Sequence, residues 1–166
     1  SCAESFSIRT AARKCAKSVS AHIPMGKNIG ASADGRHAGD PLADGGMSAM
    51  YGRDVSGPTS LLQSVAAVNS VNGSNGTLLN MKFLPEFFET EENIDKFAAM
   101  LRAVVALHIL HVQFNVVRRE ELLQAQKTPE QYRSLTVRVA GYTAYFTELA
   151  RDLQDEIIAR TTYAKL

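Results

Sequence analysis

Two histidines are the first residues whose spacing could do chemistry. His108 and His111 lie three positions apart, near enough on a helix to share a metal ion, but no carboxylate or cysteine stands at a ligand-like spacing beside them. They also fall where a helical apolar pattern gives way to a strand pattern, so packing or hydrogen bonding accounts for them more simply. The glycine-rich stretch DGRHAGDPLADGG (34–46) lacks the lysine and the helix of a phosphate-binding loop, and its acids miss the spacing of a calcium loop. No Gly-x-Ser-x-Gly elbow is present. Asn72 and Asn75 open formal glycosylation sequons, but Asn-Gly is ordinary turn chemistry. The last candidate is a missing side chain. Of eleven glycines, ten lie between Gly26 and Gly76, and the eleventh, Gly141, stands alone within TVRVAGYTAYF (136–146). From spacing alone, a glycine at a strand end marks a bulge or a close backbone approach.

The elements around these residues can be read from periodicity. TLLNMKF (77–83) places Leu79, Met81 and Phe83 on one face of a strand. Thr90 with Glu91 and Glu92 opens a helix that carries Ile94, Phe97, Ala98, Leu101, Val104, Val105 and His108 at helical spacing. HVQFNVV (111–117) is the next strand, with Val112, Phe114 and Val116 on one face and His111, Gln113 and Asn115 on the other. A short helix over 118–126 follows, then Thr128 before Pro129 as a further helix start. A strand over 135–139 leads into Gly141, and a last helix from Thr147 to Arg160 buries Leu149, Leu153 and Ile157, with a Glu156–Arg160 pair on its exposed side. Strands alternating with helices indicate an α/β fold with parallel pairing.

Composition bounds the rest. A chain of 166 residues with 45% apolar content can bury one sizeable core. A net charge of +1 makes no electrostatic case for nucleic acid or for an acidic membrane surface. The best apolar run, AAMLRAVVALHILHV, is interrupted by Arg102, His108 and His111 and is too short to span a bilayer. Two cysteines, Cys2 and Cys15, do not make a disulfide framework and fit a reducing compartment. The basic first twenty residues superficially look like a transit peptide, although an amphipathic helix over Ile8–Val19 is simpler. Residues 24–76 are rich in Gly, Ser, Asn and Asp, so loops should dominate there. Such a segment is expected to lie against a larger body. The chain opens on Ser1 without an initiator Met, which fits a piece of something longer. The expected division is 1–76, an N-terminal helix and Gly-rich segment, and 77–166, the regular part.

The neighbours of Gly141 carry a resemblance. Arg138-Val139-Ala140-Gly141-Tyr142 resembles the C-terminal signature of the glycyl radical enzymes, written Arg-Val-Ser/Ala-Gly-Tyr. Five further stretches are similar to the same family region in the same order: His22-Ile23-Pro24-Met25-Gly26; Asp34-Gly35-Arg36 with Pro41-Leu42-Ala43-Asp44-Gly45; Gly57-Pro58-Thr59; His111-Val112-Gln113-Phe114-Asn115-Val116-Val117; and Gln154-Asp155-Glu156-Ile157-Ile158. The likeness runs from about Ser20 to Thr161. Ala140 and the continuation Thr143-Ala144-Tyr145-Phe146 resemble the branch of glycerol/diol dehydratases, hydroxyproline dehydratase and choline trimethylamine-lyase more than pyruvate formate-lyase.

The resemblance implies the C-terminal part of a ten-stranded α/β barrel. Gly141 would store a backbone radical installed by a separate activating enzyme that uses S-adenosylmethionine and an iron–sulfur cluster, with no bound cofactor and no metal in this chain. The radical would pass to a catalytic cysteine and so cleave a C–O or C–N bond in a small-molecule substrate. Arg138, Val139, Ala140 and Tyr142 would support the loop, and His111, Gln113 and Asn115 would line the barrel interior. Cys2-Ala3-Glu4 imitates part of the family's cysteine loop but stands too close to Gly141 in sequence, so the cysteine and most of the pocket are expected outside this chain. The resemblance also implies a homodimer at full length and the cytoplasm of an anaerobic bacterium, or a bacterial microcompartment there. The alternatives are a stand-alone radical-carrier subunit that lends its glycine to a partner, and a formate acetyltransferase of the pyruvate formate-lyase type.

Overall fold

The computed structural model describes residues 21–68 and 77–166. The basic helix over 8–19, both cysteines and the Asn72 and Asn75 sequons lie outside the described residues. The centre of the fold is strand β1 (Leu79–Phe83), in which every residue is buried. It pairs in parallel with β2 (Val112–Val116) on one side and with β5 (Thr162–Tyr163) on the other. A strand flanked on both edges and covered on both faces has no solvent side, and parallel pairing needs a crossover between partners. Helix α3 (Glu91–Ala106) supplies that crossover between β1 and β2. The Thr90 hydroxyl caps it by accepting the Asn93 N–H at 3.3 Å, and Glu91 and Glu92 sit in its positive first turn.

One face of the sheet is apolar. Leu79, Met81 and Phe83 pack with Phe87, Met100 and Leu61, Leu62 and Val65 of helix α2 (Gly57–Ala66). Phe83 is fully buried at the hub, with ring centroids 5.3 Å from Phe87, 5.7 Å from Phe97 and 5.6 Å from Tyr163. Of the apolar residues read on α3, Phe97 and Val104 pack on this cluster, whereas Ile94, Leu101 and Val105 face outward. The other face carries Asn80, Lys82, Gln113 and Asn115, all buried, and is covered by the C-terminal elements. These are helix α4 (Arg119–Lys127), the antiparallel hairpin β3 (Thr136–Arg138) and β4 (Thr143–Tyr145), and helix α5 (Arg151–Ala159). Their second apolar cluster contains Leu122, Val137, Val139, Phe146, Ile157 and Ile158.

Several expectations are corrected. The loops expected over 24–76 do dominate its described part, but the segment also holds α2, which buries Leu61, Leu62 and Val65, and helix α1 (His22–Gly26) precedes it. Thr128 precedes only a 3₁₀ turn (Pro129–Gln131), and its hydroxyl donates back to the Gln124 carbonyl. The chain after Gly141 does not pass directly into a helix but returns as β4 before α5 begins. The Glu156–Arg160 pair is not on an exposed side; both residues are buried, because α5 turns that face toward the polar side of the sheet. The expected α/β fold with parallel pairing is present in the β2-β1-β5 sheet, and the barrel itself is not among the described residues. No described helix is long and apolar enough to cross a membrane.

Candidate functional site at the Gly141 hairpin

The hairpin turns through Ala140 and Gly141, closed by the Val139 N–H donating to the Tyr142 carbonyl at 3.0 Å. Gly141 has φ +85°, a conformation that L side chains rarely adopt, so the glycine makes a turn rather than a bulge. A Cβ placed on it would meet nothing within 4 Å among the described residues. No close backbone approach to that position occurs among the described residues, and the direction a Cβ would take faces open space there.

The backbone leading into Gly141 is held by side chains from the polar face of the sheet. Asn115 acts as a strand partner made from an amide: its Oδ1 accepts the Arg138 N–H and its Nδ2 donates to the Arg138 carbonyl, both at 2.8 Å. The Val139 carbonyl accepts from Asn80 Nδ2 at 3.2 Å and Arg160 Nη2 at 3.1 Å. The Gln113 amide satisfies all its neighbours in one orientation. Its oxygen then accepts the Gly141 N–H at 3.1 Å and Arg138 Nη2 at 2.9 Å, while its nitrogen donates to Asn80 Oδ1 at 3.2 Å. The Arg138 guanidinium also reaches across the hairpin to Thr143 Oγ1 at 2.8 Å. Val139 and Ala140 are buried beneath the turn, and Tyr142 is exposed.

A buried charge cluster lies under this layer. Arg160 is gripped by Glu156 through two bonds of 2.9 Å and stands 3.6 Å from Asp44. Asp44 also accepts from Asn80 Nδ2. It is brought there by Gly45, whose carbonyl accepts the Leu78 N–H at 2.9 Å; a Cβ on Gly45 would collide with the Leu78 carbonyl. The Tyr51 hydroxyl donates to Glu156 Oε1 at 2.5 Å. His22 Nε2 stands 3.5 Å from Glu156 Oε2, long for a hydrogen bond but close enough to favour the ionised carboxylate. Burial would push the Glu156 carboxyl up, but His22, Arg160 and Tyr51 outweigh it and hold the group at about 2. Asp44 moves the other way: burial raises it, and Arg160 offsets only part of that. Burial, together with the charges of Arg160 and Arg119, brings the Lys82 ammonium down to about 8, and its Nζ donates to the carbonyls of Ile157 and Ile158 at 3.2 Å.

The structure thus brings together Arg138, Val139, Ala140, Gly141, Gln113 and Asn115. His111 is exposed, with its Nε2 3.5 Å from the Gln113 amide, and its carbonyl accepts the Leu79 N–H at 3.0 Å. His108, at φ +55°, is part of a helix stop: its N–H donates to Val105 and the Ile109 N–H to Val104, the paired bonds of a Schellman motif. No group of three metal-ligating residues occurs among the described residues. Sequence reasoning missed Asn80, Asp44, Tyr51 and the inward role of Arg160. A signal for Asn80 was present, since polar residues alternate with Leu79, Met81 and Phe83 just as Gln113 and Asn115 flank Phe114. The remaining three come from loops or a helix end, where no period marks them.

The described residues contain no cysteine. What this arrangement can do is hold one glycine rigidly from one side and leave its α-carbon accessible. The sequence matches the family model described as "Glycine radical" over residues 43–147, well over half of the chain.

The chain belongs to the glycyl radical enzyme family.

Its relatives agree. The isethionate sulfite-lyase of Oleidesulfovibrio alaskensis is 46% identical over 144 residues, covering 86% of this chain and 17% of that protein. Among solved structures, one on 1,2-propanediol dehydration in Roseburia inulinivorans has a TM-score of 0.82 at 46% identity, covering 86% of this chain and 18% of the other. The glycerol-bound form of the B12-independent glycerol dehydratase from Clostridium butyricum has a TM-score of 0.82 at 43% identity, covering 87% and 18%. This glycine radical domain therefore spans less than a fifth of the length of the relatives it matches.

Proposed function

We propose that Gly141 is the radical-storing residue of a glycyl radical lyase or dehydratase, and that this chain is its C-terminal part. The observation that supports this most is the geometry of the hairpin tip: Gly141 has an uncrowded α-carbon, and its N–H and the carbonyls before it are tied to buried amides and to Arg160. Without a Cβ the carbon can flatten at no steric cost when it loses a hydrogen, and the unpaired electron spreads into the adjoining amides. The open side of the α-carbon suits hydrogen transfer, first with an S-adenosylmethionine-dependent activating enzyme and then with a cysteine thiol. Arg138, Val139, Ala140 and Tyr142 support the turn, and Gln113 and Asn115 form the wall it rests on. The cysteine, the rest of the barrel and most of the substrate pocket belong to the remainder of the enzyme, a homodimer working in an anoxic bacterial cytoplasm. A relative named as a sulfite-lyase beside others named as dehydratases widens the bond broken from C–O or C–N to carbon–heteroatom bonds in general.

The test is anoxic incubation of the full-length protein with its activating enzyme. A glycine-centred electron paramagnetic resonance signal is expected, absent in Gly141→Ala, followed by chain cleavage at residue 141 on exposure to air. A signal that persists in Gly141→Ala, or a radical-bearing chain that stays intact in oxygen, overturns the assignment.

A further inference from the structure

We propose that Gln113 is a positioning residue for the radical, holding the amide through which Gly141 shares its unpaired electron. The inference rests on the reading of Gly141 given above and assigns a role to one neighbouring side chain. Gln113 is buried, and its carboxamide oxygen accepts from the Gly141 N–H at 3.1 Å and from Arg138 Nη2 at 2.9 Å. Its nitrogen donates to Asn80 Oδ1 at 3.2 Å, and Asn80 in turn donates to Asp44 and to the Val139 carbonyl. The carboxamide therefore has little freedom to rotate. Each of its atoms is committed, and its partners are themselves anchored in the buried cluster.

The two sides of Gly141 differ in this respect. On the N-terminal side the Gly141 N–H, the Val139 carbonyl and both backbone groups of Arg138 are bound to buried side chains. On the C-terminal side the ties run within the hairpin itself: the Tyr142 carbonyl accepts the Val139 N–H at 3.0 Å, Thr143 Oγ1 accepts from Arg138 at 2.8 Å, and both Tyr142 and Thr143 are exposed. Spin reaches an amide only to the extent that the singly occupied orbital on a flattened α-carbon lines up with that amide's π system. The resting φ of +85° leaves the N-terminal amide well out of line, so the carbon and its neighbours must readjust as it flattens. With the N-terminal amide fixed by Gln113, that adjustment is taken up toward Tyr142, and the spin on the Gly141 nitrogen has one defined value. Without Gln113 the amide samples a range of angles.

The experiment uses full-length enzyme carrying ¹⁵N-labelled glycine, activated under anoxia and read by electron paramagnetic and electron–nuclear double resonance. In Gln113→Met, which has similar length but no acceptor oxygen, the nitrogen and amide-proton couplings of the radical are expected to shift and broaden. In Gln113→Glu, which keeps an acceptor for the Gly141 N–H but loses the donor to Asn80 Oδ1, they are expected to move back toward the wild-type values. A residue that only supports the fold would lower the amount of radical without altering the couplings per spin. Unchanged couplings in Gln113→Met overturn the inference while leaving Gly141 as the radical site. A wild-type protein with no glycine-centred signal overturns the reading of Gly141 itself. If Gln113→Met does not fold, Gln113→Asn withdraws the oxygen by one methylene, and unchanged couplings there overturn the inference in the same way.

Discussion

The two faces of the β1–β2 pair are built from alternate residues of the same strands, yet they work by different physics. Toward α2 and α3, Leu79, Met81 and Phe83 meet a cluster of aromatic rings whose contacts are numerous and interchangeable. Burial there stabilises in proportion to area and is indifferent to direction. Toward the hairpin, Asn80, Gln113 and Asn115 make a handful of bonds, each to one named atom of the chain approaching Gly141. Such bonds add little net stability, because water would supply similar ones, but they are costly to leave unmade and they fix position. One face carries the stability and the other sets the geometry.

The largest effect is expected for Phe83→Ala in the full-length protein. Removing the hub of the aromatic cluster should cost about 3–5 kcal/mol, seen as a shift of the whole denaturant unfolding curve. A cost below about 1 kcal/mol would mean that the apolar face is not the source of stability.

The next tests the charge cluster beneath the hairpin. Arg160→Met leaves the Glu156 and Asp44 carboxylates buried without their main partner and should cost about 3–5 kcal/mol. The same cluster makes a signed pH prediction. Glu156 titrates at about 2 in the fold against an ordinary 4.5, so its ionised form favours the folded state. The stability difference between wild type and Glu156→Gln should be constant above pH 4.5 and shrink as pH falls toward 2. A difference that grows on acidification would reverse the assignment. Asp44, raised by burial and further by the Glu156 charge, acts in the opposite direction.

The smallest effect sharpens the contrast most. Asn115→Leu removes both bonds to the Arg138 backbone and should cost about 1–3 kcal/mol. Hydrogen exchange should speed up at Arg138 and Gly141 while amides of α3 keep their protection. Uniform loss of protection would show that Asn115 serves the core rather than the hairpin.

Much of this was legible before the fold. Alternation in TLLNMKF and HVQFNVV marks two strands with an apolar and a polar side, and Thr90-Glu91-Glu92 marks a helix start, because those signals are local. The Gln154–Ile158 stretch was recognisable as a pattern, but its parts acquire roles only in space. Gln154 Nε2 holds the carbonyls of Phe146 and Leu149, Glu156 grips Arg160, and the carbonyls of Ile157 and Ile158 accept from Lys82. The Glu156–Arg160 pair was read as a surface pair because i,i+4 spacing says nothing about which way a helix face points.

By itself, then, the sequence determined the alternating strands, the family signature around Gly141 and the fact that this one position does without a side chain. These depend on residues near one another in the chain. Only the tertiary structure decided that Gly141 sits at an open hairpin tip with φ +85°, that Asn80 and Asn115 hold the backbone before it, and that Asp44 and Arg160 meet beneath it. Those partners come from segments far apart along the chain, and no local propensity encodes the packing that brings them together.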